Sequence, residues 1–211
     1  MALTQAQLAG SLELLGLQTS NRDVLNQSIA LYRQVLDGYP RERSPQDWAM
    51  FQSNLGAALV AQGDLDSDRK SYEQAAIAYH ASLEELSIEH QPLAWATAKA
   101  GLGNALTDLG EAMSNTQYIE RAVAAFNDAL KVYRPDREPI DWAWAKYNLA
   151  GALFDLGELE SGVKHLSEAV DTYRSALTVL SKDNTPEQWK EIQDNLGIAL
   201  DELHKRGWKG S

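Results

Sequence analysis

Four histidines are the strongest candidates for metal ligands or proton carriers in this sequence. They are His80, His90, His165 and His204. None of them forms a His-x-x-x-His or Glu-x-x-His pair, the spacings that place two ligands on one face of a helix. The chain has no cysteine, which excludes disulfides, thiolate metal sites and cysteine nucleophiles together. We therefore expect no metal site and no cofactor.

Three acidic residues, Asp155, Asp194 and Asp201, have the chemistry of a catalytic acid and base. Carboxylates on an exposed helix face are usually solvated charge, however. The Gly-x-Ser-x-Gly motif and glycine-rich phosphate loops are absent from the sequence. The sequence therefore does not indicate an enzyme.

Charge and hydropathy narrow the class of partner. The formal net charge is -11, which disfavours nucleic acid and anionic lipid, because both require clustered Lys and Arg. Charged partners of this chain should be basic. The sequence lacks a run of about 18 uncharged apolar residues and an N-terminal basic region, so we expect neither membrane insertion nor export. A cytoplasmic location agrees with the absence of cysteine.

A repeat of 47 residues organises the chain. A tryptophan recurs at this spacing without insertion or deletion, each time three residues after a proline. The tryptophans are Trp48, Trp95, Trp142 and Trp189. Leucines and glycines keep the same register, at Leu8, Leu55, Leu102, Leu149 and Leu196, and at Gly16, Gly63, Gly110 and Gly157.

Each unit is predicted to form two antiparallel helices, because its apolar residues recur at spacings of three, four and seven. In the second unit, Ser44 and Pro45 are typical of a helix start, and Gly63 is predicted to end that helix in the left-handed conformation. Ser67 is then predicted to cap the second helix, as are its equivalents Ser20, Ser114 and Ser161. We predict a single domain over residues 1–211, with units 1–43, 44–90, 91–137 and 138–184 and a terminal capping helix 185–204. The total is about nine helices.

Two segments of the second unit, Asn54 to Leu59 and Ala75 to Ser82, resemble the two halves of a tetratricopeptide repeat. The first has a Leu-Gly pair for close helix approach, and the second has small residues flanking the aromatic Tyr79. The unit is 13 residues longer than the usual 34, so the chain is similar to the long-unit bacterial members of that family. The resemblance implies an all-α, right-handed α-α superhelical solenoid that acts as a protein-binding scaffold, without identifying the partner.

The tryptophans have two interpretations, as packing residues or as an aromatic platform for a ligand. At 100° per residue, Trp48 lies within about 20° of the line through Leu55 and Leu59. We therefore predict that the four tryptophans are structural and largely buried between units.

The opposite face of each first helix differs from unit to unit, and in the tetratricopeptide fold this face lines the concave groove. A variable face on a repeating framework is where a partner would be recognised, although a solvated face with no partner is the alternative. The asparagines beside it can hold a bound peptide or a neighbouring helix, and Gly101 interrupts their series. The predicted groove residues are Met50, Asn54, Asn104, Asp108, Trp144, Tyr147, Asn148, Phe154, Asp155, Asp194, Asn195, Asp201 and Glu202.

Two functions are compatible with these observations. The first is an adaptor that binds a basic or amphipathic peptide or helix in the groove, with Trp144, Tyr147 and Phe154 supplying most of the affinity. The second is a self-assembly element, possible because Leu3, Leu14 and other leucines crowd a first helix that no earlier unit covers. The second function would give a homo-oligomer through the N-terminal end, or a piece of a larger signalling protein.

Overall fold

The computed structural model describes residues 2–208 and is all-α over that range. Its nine helices are α1 (Ala2–Thr19), α2 (Arg22–Gly38), α3 (Pro45–Asp66), α4 (Arg69–Leu83), α5 (Pro92–Met113), α6 (Thr116–Ala129), α7 (Pro139–Leu159), α8 (Lys164–Ala176) and α9 (Pro186–Lys205), with a short 3₁₀ turn at Arg41–Arg43. Consecutive helices pack as antiparallel hairpins, which confirms the predicted fold class.

The chain divides into two compact units, Met1–Leu109 and Gly110–Ser211, and the boundary falls within α5. In the first unit α1 packs on α2, α2 on α3 and α3 on α4. In the second, α6 packs on α7, α7 on α8 and α8 on α9. Each unit is therefore a sequential array of hairpins, as expected for a helical repeat.

The repeated glycine has a different role from the predicted one. Gly63 lies inside α3 and does not end it. A Cβ on Gly63 would lie under 3.0 Å from the ring of Tyr72 in α4, and a Cβ on Gly110 would meet Ile119 in the same way. The glycine therefore permits close crossing of the two helices of a hairpin, so its missing side chain, and not its backbone freedom, is what the fold uses.

The predicted serine caps are also wrong. Ser20, Ser67 and Ser114 adopt positive φ angles of 48°, 51° and 48°, so each ends the helix before it in the left-handed conformation. The residue after each serine caps the next helix: the side chains of Asn21, Asp68 and Asn115 accept hydrogen bonds from first-turn N–H groups. Serine and the Asn or Asp that follows it both favour the N-cap position. The prediction placed the N-cap on the serine, one residue too early.

The hairpin of α7 and α8 lacks this cap, because Gly162 occupies the position of the Asx residue and Val163 offers no side-chain bond. Arg206, directly after α9, contacts the other side of this turn, at the end of α7. Its Nη1 donates to the backbone oxygens of Gly157, Glu160 and Gly162 at 2.7, 2.7 and 3.0 Å. A guanidinium therefore satisfies carbonyl groups that the end of α7 leaves without helical partners.

The predicted helix starts hold in part. Ser44 accepts a hydrogen bond from the N–H of Asp47 at 3.3 Å, and Pro45 occupies the first turn of α3. Thr185 precedes Pro186 in the same way, but its side chain makes no capping bond and donates to the backbone oxygen of Ser181 instead. The proline fixes the helix start in both cases, and only the serine also caps it.

All four repeated tryptophans are shielded from solvent over most of their surface, but none is fully buried. The alanine after each of the first three is the fully buried residue, at Ala49, Ala96 and Ala143. A cation covers each of these three indoles: Arg41, Lys99 and Lys146 lie 5.0, 5.2 and 5.8 Å from the ring centroids of Trp48, Trp95 and Trp142. The indoles lie in the first turn of their helices, where the buried face of the helix ends and one side of each ring remains accessible to a cation.

Candidate functional site

The aromatic position of the second helices directs tyrosine hydroxyls towards the neighbouring first helices. In the first unit, the hydroxyl of Tyr32 in α2 interacts with Glu13 of α1 and with Asn54 of α3. Burial raises the pKa of Glu13 to about 7, and the hydrogen bond from Tyr32 opposes that shift only partly. The predicted groove residue Asn54 is therefore engaged by a tyrosine within the fold.

The interruption of the asparagine series at Gly101 has a steric cause. Tyr79 is the equivalent of Tyr32 one repeat later, and its side chain lies against α5 at Gly101. A Cβ at this position would overlap the phenol ring and hydroxyl of Tyr79. The tyrosine therefore occupies the space that an asparagine side chain would need.

We expect stability to fall with rising pH because of Glu13. Its pKa is about 7 in the folded protein and near the ordinary 4.5 in the unfolded chain, so the folded state retains a proton that the unfolded state releases. The stabilising effect is complete below about pH 4.5 and is lost as the pH rises through 7. Glu13→Gln should thus raise the free energy of unfolding by about 2 kcal/mol at pH 8 and change it little at pH 4.5.

Urea unfolding followed by circular dichroism at both pH values measures this difference. Glu89→Gln, which removes an exposed carboxylate of the same unit, is the matched control and should shift the curve equally at both pH values. If Glu13→Gln changed the free energy of unfolding by the same amount at pH 4.5 and pH 8, the assigned role of Glu13 would be wrong.

In the second unit, Tyr147 joins α7 to α9. Its hydroxyl donates to Glu191 Oε1 at 2.6 Å and accepts from Asn195 Nδ2 at 3.0 Å. Its ring lies edge-on to Trp144, with centroids 5.6 Å apart, and 5.9 Å from the ring of Tyr173 in α8. Both the hydroxyl and the ring of Tyr147 are therefore engaged within the fold. Tyr147 links helices more than it offers a contact surface to a partner.

Beside this cluster lies a cavity of about 270 Å³. Its walls come from the end of α5 and from α7, α8 and α9, and the lining residues are Glu111, Gly151, Phe154, Asp155, Tyr173, Asn195 and Ile198. Burial raises the pKa of Tyr173, and the nearby Asp155 and Glu191 carboxylates raise it further. The cavity therefore combines apolar and aromatic walls with a negative potential.

A second cavity of about 220 Å³ adjoins the first, since both include Glu111 and Asp155 in their lining. Its other walls are Ser114, Ile119, Glu158 and Leu159. We refer to the residues lining these two cavities as the acidic groove. It is open along the side of the second unit and is lined by three carboxylates: Glu111 is exposed, Asp155 is half-buried, and Glu158 pairs with Arg206 at 3.2 Å.

The first unit contains the same cavity as this second one, two repeats earlier in sequence and also of about 220 Å³. Its lining is Gly16, Leu17, Ser20, Leu25, Ala61, Asp64 and Leu65. Leu17 and Ala61 stand where the second unit has Glu111 and Asp155. The repeat therefore creates the same concavity in both units, and three carboxylates replace one in the second.

The predicted groove residues differ in their surroundings. Phe154, Asp155 and Asn195 line the acidic groove. Met50, Asp194 and Asp201 are exposed and lie outside it, whereas Asn104, Asp108 and Asn148 are half-buried. Glu202 forms ion pairs with Lys205 and Arg206 of its own helix, at 3.2 and 2.8 Å, and these lower its pKa.

Sequence patterns missed Glu111 and Tyr173 as groove residues, whereas Gly151 and Ile198 lie on the variable face of their helices and do line the groove. Tyr173 was assigned to the core because its repeat position is aromatic. The signal that distinguishes it is the hydroxyl, since a buried tyrosine requires a polar neighbour and Phe126 at the equivalent position does not. Glu111 lies at the end of its helix, beyond the variable face that the repeat register defines.

The described residues contain no group of three or more His, Asp or Glu side chains placed to hold a metal ion. Among residues 2–208, no helix has both the length and the apolar character needed to cross a bilayer. Comparison of the chain with protein-family models and with curated proteins found no match.

Proposed function

We propose that this protein is a tetratricopeptide-like interaction module that binds a basic segment of a partner protein in the acidic groove. The observation that carries the proposal is the groove itself, with carboxylates and aromatic rings around one concavity of the second unit. Recognition then needs a lysine or arginine whose charged end lies near Glu111 and Asp155. The net charge of -11 favours the approach of such a partner.

The apolar walls suit the aliphatic part of the same side chain. Phe154 and Ile198 are available to contact its methylene groups, and Ile198 is 55% exposed in the structure. The rings of Phe154 and Tyr173 also attract a cation by their π faces. Apolar contacts would hold the methylene groups of the side chain, while the carboxylates would orient its charged end. Lysine and arginine side chains at protein surfaces often bury their methylene groups in this way.

The contrast with the first unit supports specificity for cations. The equivalent cavity there has Leu17 and Ala61 in place of Glu111 and Asp155, so its shape is repeated without the charge. The cavity forms in the first unit without either carboxylate, so the two additional negative charges of the second unit are what a basic ligand would recognise.

Selection from a random peptide display library on the immobilised protein tests the proposal. We expect the enriched peptides to contain lysine or arginine beside apolar residues. The double variant Glu111→Gln/Asp155→Asn should bind a selected peptide at least about thirtyfold more weakly by calorimetry, as expected for the loss of two partly desolvated ion pairs. The affinity of this double variant should also depend less on salt concentration than that of the wild type.

Glu120→Gln/Asp183→Asn is the matched control, because it removes two exposed carboxylates of the same unit that do not line the groove. This control should keep at least about half of the affinity. Enrichment of acidic or uncharged peptides would contradict the proposal, and so would equal losses in the two double variants.

A further inference from the structure

Arg206 stands at a repeat position that the earlier repeats fill with uncharged residues. Its equivalents, at intervals of 47 residues, are Leu159, Ala112, Leu65 and Gln18. Leu159 lines the acidic groove, and Leu65 lines the cavity of the first unit. Arg206 therefore shows which chemistry this concavity accepts when a side chain of the chain itself reaches into it.

Two carboxylates from neighbouring first helices hold the guanidinium of Arg206. Its Nε donates to Glu202 Oε1 at 2.8 Å, and its Nη2 donates to Glu158 Oε1 at 3.2 Å. Glu202 belongs to α9 and Glu158 to α7, so the planar group bridges the two helices. The side chain of Arg206 is 19% exposed, and solvent therefore screens these ion pairs less than it screens a fully exposed pair.

The same pair of positions is acidic in the acidic groove, one repeat earlier. Glu111 and Asp155 stand 47 residues before Glu158 and Glu202. A cavity of about 220 Å³ lies beside them. That volume is many times what one water molecule needs, so it has room for a guanidinium group. The acidic groove thus repeats the acceptors of the Arg206 site and has leucine where that site has its cation.

The first unit has neither the carboxylates nor the arginine at these positions. Leu17 and Ala61 replace the acidic pair, and Leu65 replaces Arg206. The concavity nevertheless forms, with about the same volume. The acidic pair is therefore not a requirement of the hairpin packing, and in the last repeat it serves to bind a guanidinium.

We propose that the guanidinium group of a partner's arginine occupies the cavity between Glu111 and Asp155, as the group of Arg206 occupies the equivalent place one repeat later. The assignment rests on the proposed function only in taking a partner protein as the source of the arginine. It narrows the basic segment to one that presents arginine and not lysine at this point.

The geometry of the donors favours arginine. A guanidinium directs N–H groups outward in one plane, so two of them reach carboxylates on different helices, whereas an ammonium is a compact point charge. Glu111 and Asp155 lie on α5 and α7, which gives the same two-helix arrangement as at Arg206. The carbonyl contacts of Arg206 do not carry over, because Gly110 O already accepts the N–H of Asn115 at 2.9 Å. Recognition therefore depends on the two carboxylates.

Leu159→Arg tests the assignment without a ligand. The new guanidinium should reach Glu111 and Asp155, and the melting temperature should rise by at least about 2 °C. This rise should disappear in the Glu111→Gln/Asp155→Asn background. Leu159→Lys and Leu65→Arg are the controls for an ammonium at the same position and for a guanidinium without the acidic pair. Each should change the melting temperature by less than about 1 °C.

Titration with N-acetylarginine amide, followed by NMR of the backbone amides, tests the ligand itself. Resonances of residues that line the cavity should shift in the wild type, and N-acetyllysine amide should bind at least about fivefold more weakly. Leu159→Arg fills the cavity with its own side chain and should weaken binding of the arginine amide at least about tenfold.

Equal affinity for the two amides, no binding of the arginine amide to the wild type, or an unchanged melting temperature in Leu159→Arg would overturn the guanidinium site. The amide titration uses the wild-type protein and so remains decisive if Leu159→Arg folds poorly. Neither measurement uses a selected peptide. Their failure is therefore distinct from failure of the peptide selection, which tests whether the acidic groove binds a basic partner at all.

Discussion

Gly110→Ala should lower the free energy of unfolding by about 2 kcal/mol, since overpacking at a tight contact costs about 1–3 kcal/mol. The added Cβ would lie 2.5 Å from Cγ1 of Ile119, 3.2 Å from the backbone nitrogen of the same residue and 3.3 Å from the backbone oxygen of Asn115. The backbone atoms cannot move away as a flexible side chain can, so the two helices must separate. The gain in helix propensity from glycine to alanine offsets only part of this cost.

Gly197→Ala is the matched control for this prediction. Gly197 is also inside a helix of the second unit, but a Cβ there would meet nothing within 4 Å. Alanine should therefore stabilise the protein by up to about 1 kcal/mol, through helix propensity alone. Chemical unfolding of both variants decides the matter, and changes of the same sign would refute close crossing as the reason for the repeated glycine.

The sequence predicts the number and order of helices because the 47-residue register repeats without a gap. It misassigns the helix ends, since Gly63, Ser67 and Asp68 all have end-forming tendencies. Only the spacing between two helices distinguishes a glycine that terminates from one that allows contact. The distance between two packed helices is a property of the tertiary structure, and the spacing of residues along the sequence does not report it.

The tryptophans show a second limit of periodicity. The angular position of Trp48 agrees with the buried stripe, and the indole keeps a minor exposed part because a helix end offers neighbours on fewer sides. Arg41 then covers the exposed face of the ring and also pairs with Glu84 at 2.8 Å. Arg41 comes from the 3₁₀ turn before the helix, and no helical period places it over the ring.

The candidate site was predicted in outline only. Phe154 and Asp155 of the variable face line the acidic groove, and so does Asn195 beside that face. Its most prominent aromatic residue, Tyr147, is instead bound by Glu191 and Asn195 of α9. A helical projection ranks residues on one helix, whereas the groove is built by four helices. Tyr173 enters it from a second helix, which the projection does not include, and Glu111 enters it from the last turn of α5, beyond the projected stretch.

Gly151→Leu should abolish binding of a basic peptide selected on this protein, with a loss of at least about a hundredfold, the scale of a lost hot-spot contact plus a steric block. Gly151 lines the cavity of about 270 Å³, and the one atom within 4 Å of an added Cβ is the hydroxyl oxygen of Tyr173, at 3.8 Å. A leucine side chain therefore fits on α7 and fills space that the ligand needs. Helix propensity favours leucine over glycine, so the fold should be retained.

Isothermal titration calorimetry of one selected peptide against wild type, Gly151→Leu and Gly197→Leu is the most direct measurement of the acidic groove as the binding site. Gly197→Leu places the same side chain on open surface of the same unit. We predict binding to wild type and Gly197→Leu with similar affinity and no measurable heat with Gly151→Leu, at equal melting temperatures. Equal affinity for all three proteins would show that the partner binds elsewhere and would contradict the proposed function.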